Sequence, residues 1–165
     1  MASKTAKTFD THIDIKQNVR DQEIEILNQQ LADTFDLYSQ VKQAHWNVKG
    51  TNFYQLHELF DELAEEVLGF VDLIAERVTQ LGGTATGTAR MAASASTLPE
   101  YPLDVVDGPD HVACLVDRYG RYAASTRAAI DTTDELGDPT TADLLTDVSR
   151  VVDKQLWFLE AHLQA

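Results

Sequence analysis

The sequence has one cysteine, four prolines and few cations among its 165 residues. The lone Cys114 excludes a disulfide scaffold and a four-cysteine zinc site. Thirteen Lys and Arg stand against 27 Asp and Glu, a net charge of −14. A folded surface so poor in cations is unsuited to gripping phosphates, which argues against a body that binds nucleic acid. No apolar run reaches the ~18 residues needed to cross a bilayer. The opening Met1-Ala2-Ser3-Lys4-Thr5-Ala6-Lys7 lacks the apolar stretch of a secretory signal, so the expected location is cytoplasmic. What the chain does have is 44% hydrophobic residues, enough to bury one core of ordinary size.

Those residues recur with a helical period. Residues 1–17 are polar and aperiodic, and the expectation is a flexible arm ahead of one bundle over 18–165. From Asp21, Ile24, Leu27, Leu31, Tyr38, Val41 and His45 mark one stripe of a long helix that stops at Lys49-Gly50. Asn52 is the expected N-cap of a second helix, which carries Leu56, Leu63, Val67, Ile74 and Val78 to a stop at Gly82-Gly83. Residues 84–106 form a long connection with a short helix expected at 89–95. Asp107-Gly108-Pro109 opens a third long helix. Gly137-Asp138-Pro139 closes it and opens the fourth, with Asp138 as N-cap. Four long amphipathic helices with one long central crossover define an all-α, ferritin-like four-helix bundle.

The second helix carries His57-x3-Asp61 and Asp72-x3-Glu76, two pairs at the spacing that shares a helical face. His45 lies at the end of the first helix. Imidazoles and carboxylates without thiolate suit iron, manganese or zinc. His57 and Asp72 are 15 residues apart on one helix, about 22 Å at ~1.5 Å per residue, so one chain cannot bring them to one ion. Two copies packed antiparallel about a two-fold axis near Glu66 would set His57 and Asp61 of each against Asp72 and Glu76 of the other, building the site twice. The alternative ferritin arrangement needs Glu-x-x-His pairs inside one bundle, and the sequence contains none.

The stretch His45-Trp46-Asn47-Val48-Lys49-Gly50-x2-Phe53-x2-Leu56-His57-x2-Phe60-Asp61, continuing to Asp72-x3-Glu76-Arg77, resembles the signature of the Dps family, the miniferritins also known as DNA-binding proteins from starved cells. Asp153-Lys154-x2-Trp157-Phe158-Leu159-Glu160 resembles that family's last helix, so the likeness covers residues 18–163. The resemblance implies a hollow homododecamer with two ferroxidase centres at each two-fold interface, where hydrogen peroxide oxidises Fe(II) in preference to dioxygen. The ferric product is stored as mineral inside, and DNA and cell are protected from oxidative damage. It implies His45, His57, Asp61, Asp72 and Glu76 as the ligands of iron, or of another divalent ion such as zinc. Lys42, one turn before His45, is expected to reach Asp61 and compete with a second iron, and Trp46 to pack beside the centre.

Asp138, Asp143 and Asp147, with Asp134 at the mouth, fit the family's acidic three-fold pore, although acids at a helix N-terminus also favour the macrodipole. Glu62, Glu65 and Glu66 are candidates to face the cavity and nucleate mineral, or are simply solvated. His111 and His162 read as surface or helix-end residues, Cys114 as a small core residue, and His12 as a lone imidazole in the arm. The alternative function is a nucleoid-associated DNA-binding protein with secondary iron chemistry. Lys4, Lys7, Lys16 and Arg20 against Asp10 and Asp14 give residues 1–20 a surplus of two positive charges, so DNA binding is expected to be weak or absent.

Overall fold

Leu27, Leu31, Leu37 and Val41 from the first helix meet Phe60, Leu63, Val67 and Ile74 from the second and Leu115, Tyr119, Val148 and Val152 from the last two. All are essentially inaccessible, and at about 1.5–3 kcal/mol for each large apolar side chain they hold the helices together. The computed structural model describes residues 6–164. The first five residues of the arm, Lys4 among them, lie outside the described residues, as does Ala165. The elements are α1 (Gln17–Asn47), α2 (Phe53–Gln80), the short α3 (Ala89–Ala95), α4 (Gly108–Glu135) and α5 (Pro139–Ala161). No strand is formed among the described residues.

Helices α1 and α2 form one antiparallel hairpin, α4 and α5 a second, and α1 faces α4 while α2 faces α5. The crossover runs the length of the bundle. It leaves α2 at Gly82 and ends where Lys49 pairs with Asp107 in an isolated bridge beside the α1–α2 turn. The stops and starts are local chemistry. Gly50, Gly82 and Gly137 all take positive φ, and the Asp107 and Asp138 side chains accept from the first free N–H groups of α4 and α5. Asn52 stands at the N-cap position of α2, but its side chain makes no capping bond.

Polar side chains along α1 hold the crossover. The Asp33 carboxylate, 1% exposed, accepts from the Thr97 N–H at 2.6 Å and from the Thr97 and Ser96 hydroxyls. Gln29 and Gln40 donate to the carbonyls of Ala95 and Pro99. A loop buried against a helix needs such partners, because its own backbone has no ladder to satisfy it.

Three expectations change. Helix α1 begins at Gln17 rather than Asp21, after an extended Lys16. His111 is 1% exposed rather than superficial, because the Tyr101 hydroxyl meets its Nδ1 at 2.6 Å under the crossover. Part of the arm is fastened to the body. The Phe9 N–H donates to the Gly82 carbonyl at 2.8 Å and the Thr84 hydroxyl to the Lys7 carbonyl at 2.7 Å.

Gly82 has φ +87°, and a Cβ there would lie 2.3 Å from the Phe9 carbonyl oxygen. Both the backbone conformation and the docked arm therefore require glycine. Gly82→Ala is expected to lose about 1–3 kcal/mol in urea unfolding and to speed hydrogen exchange at the Phe9 amide.

Candidate metal centre

The turn between α1 and α2 spans only residues 48–52, so the last turn of α1 and the first turns of α2 lie side by side. That places His45 level with His57. Their rings stack with centroids 3.8 Å apart and planes 20° from parallel. His45 Nδ1 lies 2.7 Å from the His57 carbonyl oxygen, and His57 Nδ1 lies 2.9 Å from the His45 carbonyl oxygen. A carbonyl only accepts, so each Nδ1 carries a hydrogen, and in the neutral ring each Nε2 keeps its lone pair. This reciprocal pair fixes ring orientation and tautomer together, the condition for two metal-ligating imidazoles. Phe53 packs against His57 at 5.2 Å between centroids.

One helical turn beyond His57, Asp61 lies 3.8 Å from His45 Nε2 and accepts a hydrogen bond from the Lys42 ammonium. That bond holds the Asp61 carboxyl below the usual carboxylate range, with the Lys42 charge adding to it. Lys42 also lies 5.8 Å from the Trp46 ring centre, and Trp46 is 63% exposed.

Asp72 and Glu76 stand apart from this cluster, both exposed on α2. No group of three or more His, Cys, Asp or Glu side chains converges to hold a metal among the described residues of the single chain. His57, Asp61, Leu68, Asp72 and Glu76 nevertheless occupy one face of α2, within an arc of roughly 100° at 3.6 residues per turn. Leu68 is 43% exposed in the middle of that face, an apolar side chain between two half-sets of candidate ligands.

The acids assigned to the pore divide. Asp134, Asp143 and Asp147 are exposed, and Asp147 pairs with Arg150 one turn on. Asp138 is 1% exposed and turned inward, which removes it from the set facing solvent. It accepts from Arg77 Nη2 at 2.7 Å and the Thr141 hydroxyl at 2.6 Å, while its other oxygen caps α5 through the Thr140 and Thr141 N–H groups. Burial alone would raise its carboxyl pKa; the Thr141 and Arg77 hydrogen bonds overcome that and lower it. Glu62, Glu65 and Glu66 are exposed beside Lys154 and Phe158, and Glu66 accepts from Gln155 at 2.6 Å. His12 and His162 are exposed, the latter with its Nδ1 on the Phe158 carbonyl. Cys114 packs partly buried against the core, and burial pushes its thiol up.

Two functional features escape sequence reasoning. The carbonyls that orient the imidazoles are main-chain groups with no residue signature. Arg77 stands within the quoted motif, yet its partner Asp138 is 61 positions away. The short turn between two helix-borne histidines is the only sequence signal for the first.

Comparison with known proteins identifies the fold. The ferritin-like domain family matches residues 24–165. The DNA protection during starvation protein of Agrobacterium fabrum is 49% identical over 158 residues, covering 96% of this chain and 98% of that protein. Among solved structures, DpsC from Streptomyces coelicolor has a TM-score of 0.91 at 35% identity, covering 96% of this chain and 93% of that one. A Vibrio cholerae O1 Dps protein, described as a member of a broad superfamily of ferritin-like diiron-carboxylate proteins, has a TM-score of 0.87 at 26% identity, with 96% and 99% covered. Fold and half-site together thus define a miniferritin-type, ferritin-like bundle. The chain belongs to the Dps family.

The Arg77–Asp138 pair is buried, so removing its charge leaves a guanidinium uncompensated. Asp138→Asn is expected to lose about 3 kcal/mol in urea unfolding at pH 7. Because the native pKa of Asp138 is depressed, its contribution is present above the unfolded carboxyl value and lost as pH falls through the native one. The difference between parent and variant should therefore shrink in strong acid.

Proposed function

We propose that this chain is a ferroxidase and iron-storage subunit, acting as a hollow homododecamer in the cytoplasm. One observation carries the reading: two imidazoles with both Nε2 atoms freed for coordination, beside Asp61, on a chain that lacks the rest of a ligand shell. The missing carboxylates, Asp72 and Glu76, lie on the same face of α2 about 15 residues further along. A two-fold partner laid antiparallel on that face would cover Leu68 and complete two centres at once. The nitrogen and oxygen donors suit Fe(II), and the added carboxylate charge favours Fe(III) once formed. Zinc and other divalent ions would meet the same donors and act as competitors.

In the proposed reaction two Fe(II) ions each give one electron to hydrogen peroxide, the preferred oxidant. Its O–O bond breaks and two protons complete two waters. His45 and His57 hold iron through neutral nitrogen, while Asp72 and Glu76 balance the charge gained on oxidation. Lys42, hydrogen-bonded to Asp61, competes for the carboxylate that a second iron would use. Trp46 lines the approach to the centre. Asp134, Asp143 and Asp147 draw cations toward a three-fold channel, without Asp138, and Glu62, Glu65 and Glu66 offer oxygen ligands to the growing mineral. Consuming Fe(II) and peroxide together protects DNA and the cell from their joint chemistry.

The nucleoid reading gains no support from the arm. Lys7 lies in the segment fastened to the body at Gly82 and Thr84, and the body is strongly acidic. DNA binding is therefore weak or absent in this proposal.

Anaerobic addition of Fe(II) followed by peroxide, read as Fe(III) absorbance, tests the site. His45→Ala combined with His57→Ala should slow oxidation at least about tenfold, since loss even of groups that support ligands has effects of that order. An unchanged rate rejects the assignment.

Sharing between subunits has its own test. Chains carrying His57→Ala and chains carrying Asp72→Ala are co-assembled in equal amounts. Half the dimers are then mixed, and one of the two sites in each is whole, so roughly a quarter of the parental rate should return. A mixture no faster than the mean of the two variants overturns a shared site.

A further inference from the structure

At the far end of the bundle from the histidines, α1 buries a second carboxyl that the metal chemistry does not use. Glu23 is 0% exposed, and neither of its oxygens finds a hydrogen-bond partner among the described residues. Two charged groups act on it from neighbouring elements: Arg77 of α2, which packs on α1, and Asp138 at the head of α5. They are already committed to each other at 2.7 Å, and the Arg77 guanidinium also donates to Thr141 and Gln80. On its own helix, Arg20 lies one turn earlier with its terminal nitrogens on the Ile15 carbonyl and Gln17. From α2 and α5 the corner thus receives one cation already matched by one carboxylate, and Arg20 on α1 makes no bond to Glu23, although its buried Nε also lacks a partner. A second negative charge there would be desolvated, would stand beside the Asp138 carboxylate, and would have no hydrogen bond to hold it.

The geometry points to Glu23 as a proton-sensitive latch: a neutral carboxylic acid in the closed bundle, whose ionisation forces open the junction of α1, α2 and α5. Burial and the Asp138 charge push its carboxyl up while Arg77 pulls it down, and the balance stands at about 7 against an ordinary 4.5. The sign follows from proton counting. An unfolded chain releases this proton near 4.5, whereas the folded chain keeps it to about 7. Stability therefore falls as pH rises across that window and levels off above it. The junction carries the α4–α5 turn, so the exposed Asp134 and Asp143 beside Asp138 ride on the element that loosens.

The experiment compares the full-length assembled protein with Glu23→Gln, which keeps the shape and removes the titration. The stability difference should grow from little at pH 4.5 to a folding-equilibrium gain on the order of a hundredfold for the variant at pH 8. Hydrogen exchange over residues 20–27 should accelerate from pH 6 to 8 more in the parent than in the variant. Parallel profiles for both proteins overturn the latch. Should the variant fail to assemble, infrared spectra of the unaltered protein decide. A protonated-carboxyl band present at pH 6 and fading by pH 8 supports the proposal, and its absence at pH 6 rejects it.

Discussion

A helix advances a fixed distance per residue, and that constraint on α2 governs everything else about the site. Histidine and aspartate half-sets placed 15 residues apart on one rigid rod cannot meet within a chain. The chain instead presents both on one face with an exposed leucine between them. The proposed function is thereby tied to assembly: an isolated subunit would offer half a ligand shell, and a two-fold pair two whole ones. The core serves this constraint by seating α2 against α1 and α5. The short α1–α2 turn serves it by setting His45 opposite His57.

Within each half-site, order is achieved by using the backbone as a template. An imidazole has two nitrogens, and a ligand needs one of them fixed as donor to something else. The His45 and His57 carbonyls provide that in exchange, each for the other ring. Moving either helix would break both hydrogen bonds, so the packing of the hairpin and the orientation of the two imidazoles are one property. The Lys42–Asp61 contact adds a charge to the same corner and holds its carboxylate ionised.

The long apolar stripes and glycine stops made the helices legible in the sequence, because period and capping are local properties. The pairing of His57 with Asp61 and of Asp72 with Glu76 was legible for the same reason. What stayed hidden depends on distant partners. Asp33 looks like a solvated mid-helix acid until the crossover lays the Thr97 amide on it. Asp138 has the residue type and position of a helix cap, which it is, and nothing nearby reveals that Arg77 also turns it inward. His111 needed Tyr101 across the crossover before it could be placed in the interior. Docking of the arm rests on two main-chain carbonyls and a glycine, which carry almost no compositional signal.

The charge of −14 acquires a definite meaning once its members are placed. Lys42, Arg77, Arg118, Arg121, Arg127 and Arg150 are each engaged with a carboxylate, so nearly half of the thirteen cations neutralise acids of their own chain. The other seven are outnumbered by the remaining acids, and one of them, Lys7, sits in the fastened part of the arm. Glu23 is buried on α1, but most of the other acids without a cation partner face solvent, among them Asp72 and Glu76 on α2, Asp134 on α4 and Asp143 on α5. Repeated around a closed shell, their field falls off over about 8 Å at physiological salt, so it acts at openings and interfaces rather than at long range. A small divalent cation passing through such an opening feels that field at full strength, whereas a duplex outside feels only repulsion. One charge distribution thus argues against nucleic acid as a partner and for a cation as the proposed substrate.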